Sequence, residues 1–276
     1  MLYVCINNRK VVQTKAKVPF NCPGFLYGQL LFETMRAYNG RVFLLKKHLQ
    51  RLLAALPVVG FAPNLQEEKL AQAVISALSA SKFKDARVRL SVWQEEGRSG
   101  FGAVVSKYEA YSSAKYNRGF RAIVSRLRQN EFSPLSRVKS GNYLLHLLAL
   151  KAAQKKKCDE AILLNTKGRL CEGSRSNIFL VQRGKLFTPD LSQGCLKGIT
   201  RQTVLKLAKK NKIEIKEGAM PLSALFNCDE AFLTNSLIEI MPLVKVDNRL
   251  IGKGAPGIIT KLLAGEYREL VKRDTA

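Results

Sequence analysis

A turn followed by a buried strand is predicted by Glu172-Gly173-Ser174-Arg175-Ser176-Asn177-Ile178-Phe179. The glycine and the serines favour a tight turn, and the apolar run that follows, as far as residue 182, is typical of a strand. We expect this strand to pair with residues 161–164 around a turn at Lys167-Gly168. The carboxylate of Glu172 is therefore expected at the end of a strand, in a position that a rigid scaffold would hold.

Three further polar segments lie at the ends of predicted elements. Lys139 precedes the apolar residues 144–150, and the later segments are Gly198-Ile199-Thr200-Arg201 and Thr234-Asn235-Ser236. Each segment alone has an ordinary structural explanation, such as a helix start or a strand-to-turn exit. Together they offer an amine for an aldehyde, an anion for a pyridine nitrogen, and N–H and hydroxyl groups for a phosphate. The four segments thus predict a site for pyridoxal 5′-phosphate (PLP).

The composition predicts a globular protein without a bound metal. The chain has 276 residues, of which 46% are hydrophobic, enough for one large or two small domains. Its six cysteines are scattered and it has only two histidines, so we expect no metal site. Scattered thiols indicate a cytoplasmic protein, and no apolar run reaches the roughly 20 residues that span a bilayer.

The net charge of +25 raises the question of a nucleic-acid partner. Lysines are concentrated in residues 155–157 and 206–212, near predicted helix C-termini, where cations interact favourably with the helix dipole. Because aromatic residues are not interleaved with them, these lysines indicate a solvated basic surface rather than a nucleic-acid site. A positive field favours an anionic cofactor and an anionic substrate.

The pattern of short strands and amphipathic helices predicts an α+β fold in two domains, with mixed sheets and flanking helices. We expect an N-terminal α/β domain at residues 1–118 and a C-terminal PLP-binding domain at residues 119–276 that carries Lys139. Residues 112–119 would be the linker, and residues 94–102 would form a polar loop between two strands. Asp247-Asn248 is expected to be the turn between two late strands, at residues 231–234 and 243–246.

Over nearly its whole length the chain resembles the class IV aminotransferases, which are PLP enzymes of fold type IV. Residues 27–36 with Asn39-Gly40 resemble the N-terminal signature of the family, and His48-Leu49-Gln50-Arg51-Leu52 resembles its phosphate-arginine helix. Residues 172–179 resemble its pyridine-nitrogen motif, and residues 198–201 resemble the start of its phosphate-binding helix. The resemblance implies a two-domain fold like that of D-amino-acid aminotransferase, and a homodimer.

The resemblance also implies a role for each matching residue. Lys139 would hold the cofactor aldehyde and later move protons, whereas Glu172 would keep the pyridine nitrogen protonated. Arg51 would bind the phosphate, and His48, one turn away on the same helix, is expected to be structural. The phosphate site would be completed by Ile199, Thr200 and Ser236.

Family members differ in the reaction that they catalyse. D-amino-acid aminotransferases place a tyrosine and an arginine where this chain has Phe32 and Gln94, which argues against that activity. Branched-chain enzymes typically have one more residue than this chain between Lys139 and Tyr143, which argues against that activity too. Residues 234–242 resemble the lyase form of the phosphate turn. We therefore expect aminodeoxychorismate lyase, which converts 4-amino-4-deoxychorismate to 4-aminobenzoate and pyruvate in the folate pathway. The alternative is a class IV aminotransferase acting on D-amino acids or branched-chain amino acids.

The expected partner is a small anionic amine, because the lyase substrate carries one amine and two carboxylates. Phe32 and Gln94 would line its site, and Arg98 is the first candidate for a carboxylate ligand because its loop resembles a lyase loop. A surface arginine is the other explanation for Arg98. A third hypothesis is a basic binding protein that kept the fold and lost the chemistry, but the intact cofactor residues argue against it.

Overall fold

The computed structural model describes residues 3–61, 65–95 and 97–276 and divides the chain into two units. The first unit comprises Met1–Glu109, Val138–Asn142 and Val271–Ala276, and the second comprises Ala110–Arg137 and Tyr143–Leu270. The expected α+β class, with sheets flanked by helices, is confirmed. None of the helices in these described residues is long and apolar enough to cross a membrane.

The first unit is built on an antiparallel sheet. Its elements in chain order are β1 (Tyr3–Ile6), β2 (Arg9–Val11), α1 (Pro23–Leu26), β3 (Leu30–Tyr38), β4 (Arg41–Val42), α2 (Leu45–Ala55), α3 (Glu67–Ser81), β5 (Ala86–Glu95) and β6 (Arg98–Lys107). The strand order is β2-β1-β6-β5-β3-β4. Short 3-10 turns occupy Gln13–Lys15 and Pro57–Val59.

The two faces of β3 have different surroundings. Side chains alternate between the faces of a strand, so Leu31 and Met35 lie on one side and Phe32 lies on the other. Leu31 and Met35 are buried in the core that the sheet forms with α2 and α3, together with Leu49, Leu70, Val74 and Leu90. Glu33 shares their face, which places a carboxylate inside an otherwise apolar layer.

The second unit is built on a larger, mixed sheet. Its elements are α4 (Ser113–Arg118), β7 (Phe120–Gln129), α5 (Leu144–Lys155), β8 (Glu160–Asn165), β9 (Leu170–Gly173), β10 (Asn177–Gln182), β11 (Lys185–Thr188), α6 (Ile199–Lys210), β12 (Ile215–Glu217), α7 (Leu222–Phe226), β13 (Glu230–Asn235), β14 (Glu239–Val246), β15 (Arg249–Leu250) and α8 (Ile258–Thr275). The strand order is β12-β11-β10-β13-β14-β7-β8-β9, and β15 pairs with β14. Short 3-10 turns occupy Pro134–Arg137 and Leu191–Gln193.

The observed division of the chain differs from the expected one. Residues 112–119, expected to be a linker, contain α4, which is capped by Ser112 and whose Tyr116 hydroxyl donates to the Ile238 carbonyl at 3.2 Å. The boundary therefore lies after Glu109 rather than after residue 118. The segment that carries Lys139 groups with the first unit, because it pairs with β3.

Three local predictions were wrong. β8 pairs with β7 and β9, not with β10, because the Lys167-Gly168 turn leads directly into β9, a strand of only four residues. Residues 94–102 do not form a polar loop, because β5 and β6 continue as a hairpin whose last pair is Glu95 with Arg98. The Asp247-Asn248 turn joins β14 to β15 rather than to β13.

Gly119 provides a test of how tightly the second unit is packed. It ends α4 with a φ of +73°, and an added Cβ would lie 2.5 Å from Val244 Cγ1. We expect Gly119→Ala to lower the free energy of unfolding by about 1–3 kcal/mol more than Gly168→Ala. Gly168 has the same φ of +73° but has nothing within 4 Å of an added Cβ, so it controls for the positive φ; the ψ of 175° at Gly119 adds to the loss expected there. Urea denaturation of the two variants measures the difference, and equal losses would contradict the prediction.

Candidate active site

Lys139 lies on a segment that extends the sheet of the first unit. The Phe32 N–H donates to the Lys139 carbonyl at 2.9 Å, and the Gly141 N–H donates to the Leu30 carbonyl at 2.6 Å. Ser140 is thereby paired with the residue that precedes Phe32 in β3. Because side chains alternate along the segment, Lys139 shares the face of β3 that carries Phe32.

Two cations lie over the ring of Phe32. The Lys139 Nζ is 4.6 Å from the ring centroid, and the guanidinium carbon of Arg89 is 3.8 Å from it. Arg89 Nε also donates to the Ser91 hydroxyl at 3.3 Å. The sequence interpretation missed Arg89. In the sequence, Arg89 is only a charged residue within a predicted strand, and such a residue usually faces solvent.

The opposite face of β3 carries a buried charged cluster of Glu33, His48 and Arg51. Arg51 donates to both carboxylate oxygens of Glu33, from Nε at 2.7 Å and from Nη2 at 2.6 Å. His48 Nδ1 lies 2.7 Å from the Glu33 Oε2. Burial disfavours the charged carboxylate, but Arg51 and His48 outweigh it and lower the pKa of Glu33 to about 2.

His48 is held as a neutral donor in this cluster. Burial lowers the pKa of His48, and Glu33 opposes that shift only in part. Because the ionised Glu33 can only accept, the proton of the neutral imidazole sits on Nδ1. His48 was expected to be structural, and Arg51 was expected to bind a phosphate. Here the Nε–Nη2 edge of Arg51 is engaged by Glu33, a partner that the sequence interpretation missed.

The burial of His48 predicts an acid-sensitive fold. An unfolded histidine titrates near pH 6.5, whereas folded His48 stays neutral at lower pH, so stability is full above about pH 6.5 and declines as the pH falls below it. Between pH 7.5 and 5.5 a histidine that stays neutral in the folded protein can contribute at most about 1.4 kcal/mol to the loss. Glu33 contributes little to this loss, because its stabilising effect declines only as the pH falls from about 4.5 towards 2.

The measurement is urea denaturation at the two pH values for the wild type, His48→Gln and His146→Gln. The glutamine at position 48 can still donate to Glu33 but does not titrate, so this part of the pH dependence should disappear. The His146 variant, which alters the other histidine of the chain, should keep it. An unchanged loss in His48→Gln would rule the prediction out.

Gln94 and Arg98 lie in the β5–β6 hairpin of the first unit. The Arg98 Nε donates to the Glu95 Oε2 at 2.8 Å, and the Arg98 side chain is 71% exposed. Trp93 Nε1 donates to the other oxygen of Glu95 at 2.9 Å. Gln94 donates to the carbonyls of Glu95 and Arg98. This geometry favours the surface explanation for Arg98; Glu96, within the same candidate loop, lies outside the described residues.

In the second unit, Glu172 occupies the end of β9 as expected. Its Oε2 accepts the Leu196 N–H at 3.0 Å and the Asn177 Nδ2 at 3.3 Å. The side chain is buried, with 6% of the residue surface exposed. Hydrogen bonds from N–H groups favour the ionised carboxylate, so Glu172 is suited to pair with a cation.

The turn after Glu172 is held by a second buried acid, Glu160, at the start of β8. Its carboxylate accepts the Ser174 hydroxyl, the Ser176 hydroxyl at 3.0 Å and the Ala161 N–H at 3.0 Å. The sequence interpretation missed Glu160, because an acid at the start of an apolar strand is usually a solvated strand end. Its position shows that the turn is built from the neighbouring strand as well as from its own residues.

The start of α6 and the end of β13 offer groups for a phosphate. Gly198 is the N-cap of α6 and has no side chain that could accept a hydrogen bond. The first N–H groups of the helix, including those of Ile199 and Thr200, therefore have no side-chain acceptor at the N-cap position. Thr200 is buried in the first turn. The buried Thr234 hydroxyl has no hydrogen-bond partner among the described residues. An uncapped helix start and a buried hydroxyl fit a phosphate-bearing cofactor.

Ser236 lies in the turn that Asn235 organises. The Asn235 Oδ1 accepts the N–H groups of Leu237 and Ile238 at 2.8 and 2.9 Å, and its Nδ2 donates to the Arg175 carbonyl at 2.9 Å. This turn is therefore tied to the turn that follows Glu172. The candidate residues fall into two sets: Phe32, Arg51, Gln94, Arg98 and Lys139 in the first unit, and Glu172, Ile199, Thr200 and Ser236 in the second.

Comparison with known proteins agrees with this chemistry. The family model described as amino-transferase class IV matches residues 30–246. The chain is 36% identical over 275 residues to a putative branched-chain-amino-acid aminotransferase of Methanocaldococcus jannaschii, covering 97% of this chain and 96% of the relative. It is 32% identical over 284 residues to the aminodeoxychorismate lyase of Bacillus subtilis, covering 99% of this chain and 95% of the relative.

A solved structure supports the fold and the cofactor. The branched-chain amino acid aminotransferase of Thermobaculum terrenum superposes with a TM-score of 0.88 at 27% identity, over 99% of this chain and 94% of that chain. That structure is the holo form of the enzyme, with PLP as its cofactor. The chain therefore belongs to the class IV aminotransferase family, has the fold of its type IV PLP enzymes, and uses pyridoxal 5′-phosphate as its cofactor.

Proposed function

We propose that Lys139 holds the cofactor through its amine and that Glu172 pairs with the pyridine nitrogen. The bound cofactor supplies an electron sink for the carbon next to the substrate amine. Lys139 would take the proton from that carbon and return one later, since its amine lies over the ring of Phe32, which is proposed to line the substrate site. Arg51 would bind the phosphate, supported by the Glu33 ion pair that orients its guanidinium. The other proposed phosphate ligands are Ile199, Thr200 and Ser236.

The reaction that we propose is that of aminodeoxychorismate lyase, which splits 4-amino-4-deoxychorismate into 4-aminobenzoate and pyruvate. The observation that carries the proposal is the grouping of Lys139 and Arg89 over the ring of Phe32. An aromatic face suits a substrate ring that becomes aromatic in the product, and a guanidinium suits its carboxylate. Phe32 offers no hydroxyl to an α-carboxylate, which D-amino-acid aminotransferases require at this position. The 32% identity to the Bacillus subtilis lyase also supports it.

Branched-chain amino acid transamination is the second candidate. It is supported by the names of the Methanocaldococcus jannaschii relative and of the Thermobaculum terrenum structure. In that reaction too, Lys139 would move the proton of the carbon next to the substrate amine, and Arg89 would bind the carboxylate of the amino acceptor. The two reactions differ in whether the substrate amine stays on the product, as in the lyase, or passes to a second substrate.

A product assay distinguishes the two reactions. PLP-loaded protein is mixed with 4-amino-4-deoxychorismate, and 4-aminobenzoate and pyruvate are measured over time. A parallel reaction contains leucine or D-alanine with 2-oxoglutarate, and glutamate is measured. Equal amounts of 4-aminobenzoate and pyruvate, without an amino acceptor, would support the lyase. Glutamate formation without 4-aminobenzoate would replace the lyase by the aminotransferase.

We also propose a homodimer located in the cytoplasm. Phe20, Phe25 and Tyr27 are 76%, 61% and 75% exposed, and neighbouring exposed aromatic residues are typical of interfaces. The six cysteines are free thiols, which suits a reducing compartment. Sedimentation equilibrium at micromolar concentration tests the assembly, and a mass equal to the 30.8 kDa chain would contradict it.

A further inference from the structure

Asn177 is a buried amide at the start of β10. It is the first residue of β10, five residues after Glu172, and it is paired in the sheet with Thr234 of β13. Only 6% of its surface is exposed. A buried amide at the entrance to an apolar strand is costly unless its polar atoms are bonded, so its partners indicate what it does.

The amide closes a ring of hydrogen bonds around Glu172. The Asn177 Nδ2 donates to the Leu196 carbonyl at 2.8 Å and to the Glu172 Oε2 at 3.3 Å. The Leu196 N–H donates to the same Glu172 oxygen at 3.0 Å. Both partners of Nδ2 are acceptors, so a carboxylate at position 177 would face two acceptors and an aliphatic side chain would offer them nothing.

The other end of the amide faces the start of α6. An added Cβ on Gly198 would overlap the Asn177 Oδ1, so a glycine is required where the helix passes the amide. Asn177 thus lies between the carboxylate of Glu172 and the helix start proposed to bind the phosphate. The Asn177 amide and the Leu196 N–H both donate to the Glu172 Oε2, which fixes the orientation of this carboxylate oxygen.

We propose that Asn177 is a positioning residue that holds Glu172 ionised and aimed at the pyridine nitrogen of the cofactor. The proposal rests on the role proposed above for Glu172. Two N–H donors on one oxygen stabilise the anion and restrict rotation of the carboxylate. Without the Asn177 amide, Oε2 loses one of these two N–H donors, and the ionised form of Glu172 that favours a protonated ring nitrogen is less stabilised.

The test compares PLP with an analogue that has carbon in place of the pyridine nitrogen. Dissociation constants of both are measured on the apo form of the wild type, Asn177→Asp, Asn177→Ala, Glu172→Gln and Asn165→Ala. Asp keeps the size of Asn, and Ala removes the group without adding charge. Asn165 is the matched control, because it is a buried amide of the same unit whose Nδ2 donates to Gln193 instead.

We expect the wild type and Asn165→Ala to bind PLP at least about tenfold more tightly than the analogue, as a charge-assisted hydrogen bond would give. In both Asn177 variants and in Glu172→Gln the ratio should fall to about twofold, through weaker binding of PLP alone. A role confined to packing would weaken both ligands equally and leave the ratio unchanged.

The outcomes separate this inference from the assignment on which it rests. If Glu172→Gln loses the discrimination while both Asn177 variants keep it, Glu172 retains its role and the inference about Asn177 is wrong. If Glu172→Gln keeps the discrimination, the role of Glu172 is wrong and the inference falls with it. Circular dichroism of each variant shows whether a change in affinity reflects loss of the fold.

Discussion

Lys139→Ala should lower turnover by about a thousandfold or more, because it removes the amine that holds the cofactor and moves the substrate proton. The fold should survive, since the backbone bonds of the segment do not use the side chain. The variant should still bind PLP through the phosphate group of the cofactor, but more weakly than the wild type does. Turnover is measured with the substrate that the product assay identifies.

Borohydride reduction gives a readout of Lys139 that is independent of turnover. Reduction of the loaded wild type should leave the cofactor covalently attached to the peptide that contains Lys139, as mass spectrometry would detect. The attachment should be absent in Lys139→Ala and normal in Lys151→Ala, which alters an exposed lysine of α5. Attachment at another lysine in the wild type would show that the amine has been misassigned.

Glu172→Gln should reduce kcat by about a hundredfold or more, while the dissociation constant of PLP rises no more than about tenfold. The amide has no charge with which to hold the ring nitrogen protonated, so the cofactor would withdraw electrons less strongly at the reacting carbon. Phosphate binding would be unaffected and would retain the cofactor. Steady-state kinetics and a PLP titration of the same preparation measure the two quantities.

Glu131→Gln is the matched control for that variant. Glu131 is another buried carboxylate of the second unit and accepts the Thr166 hydroxyl at 2.9 Å. We expect it to lower stability without a selective loss of kcat. A similar fall in kcat for both variants would indicate that Glu172 acts by supporting the fold rather than by pairing with the cofactor.

The positions of Glu172 and of the helix start at residues 198–201 could be predicted because their signals are local, whereas Lys139 was expected in the C-terminal domain and lies in the first unit. The spacing of Glu172, its turn and the following apolar run places the carboxylate at a strand end, and α6 begins at Ile199, within the segment expected to start a helix. The pairing of β8 could not be predicted in the same way. A four-residue strand such as β9 has too few residues to show a period, and only its hydrogen bonds define it.

The amino-acid sequence by itself determined the class of fold, the candidate lysine and carboxylate, and the family resemblance, since each depends on residues close together in the chain. Only the tertiary structure showed that Arg51 pairs with Glu33 and that Asn177 joins Glu172 to Leu196. It also showed that the Arg89 guanidinium lies over the Phe32 ring and that Arg98 donates a hydrogen bond to Glu95. The physical reason is that a buried polar group must find a partner, and strand register and helix packing decide which group is within reach.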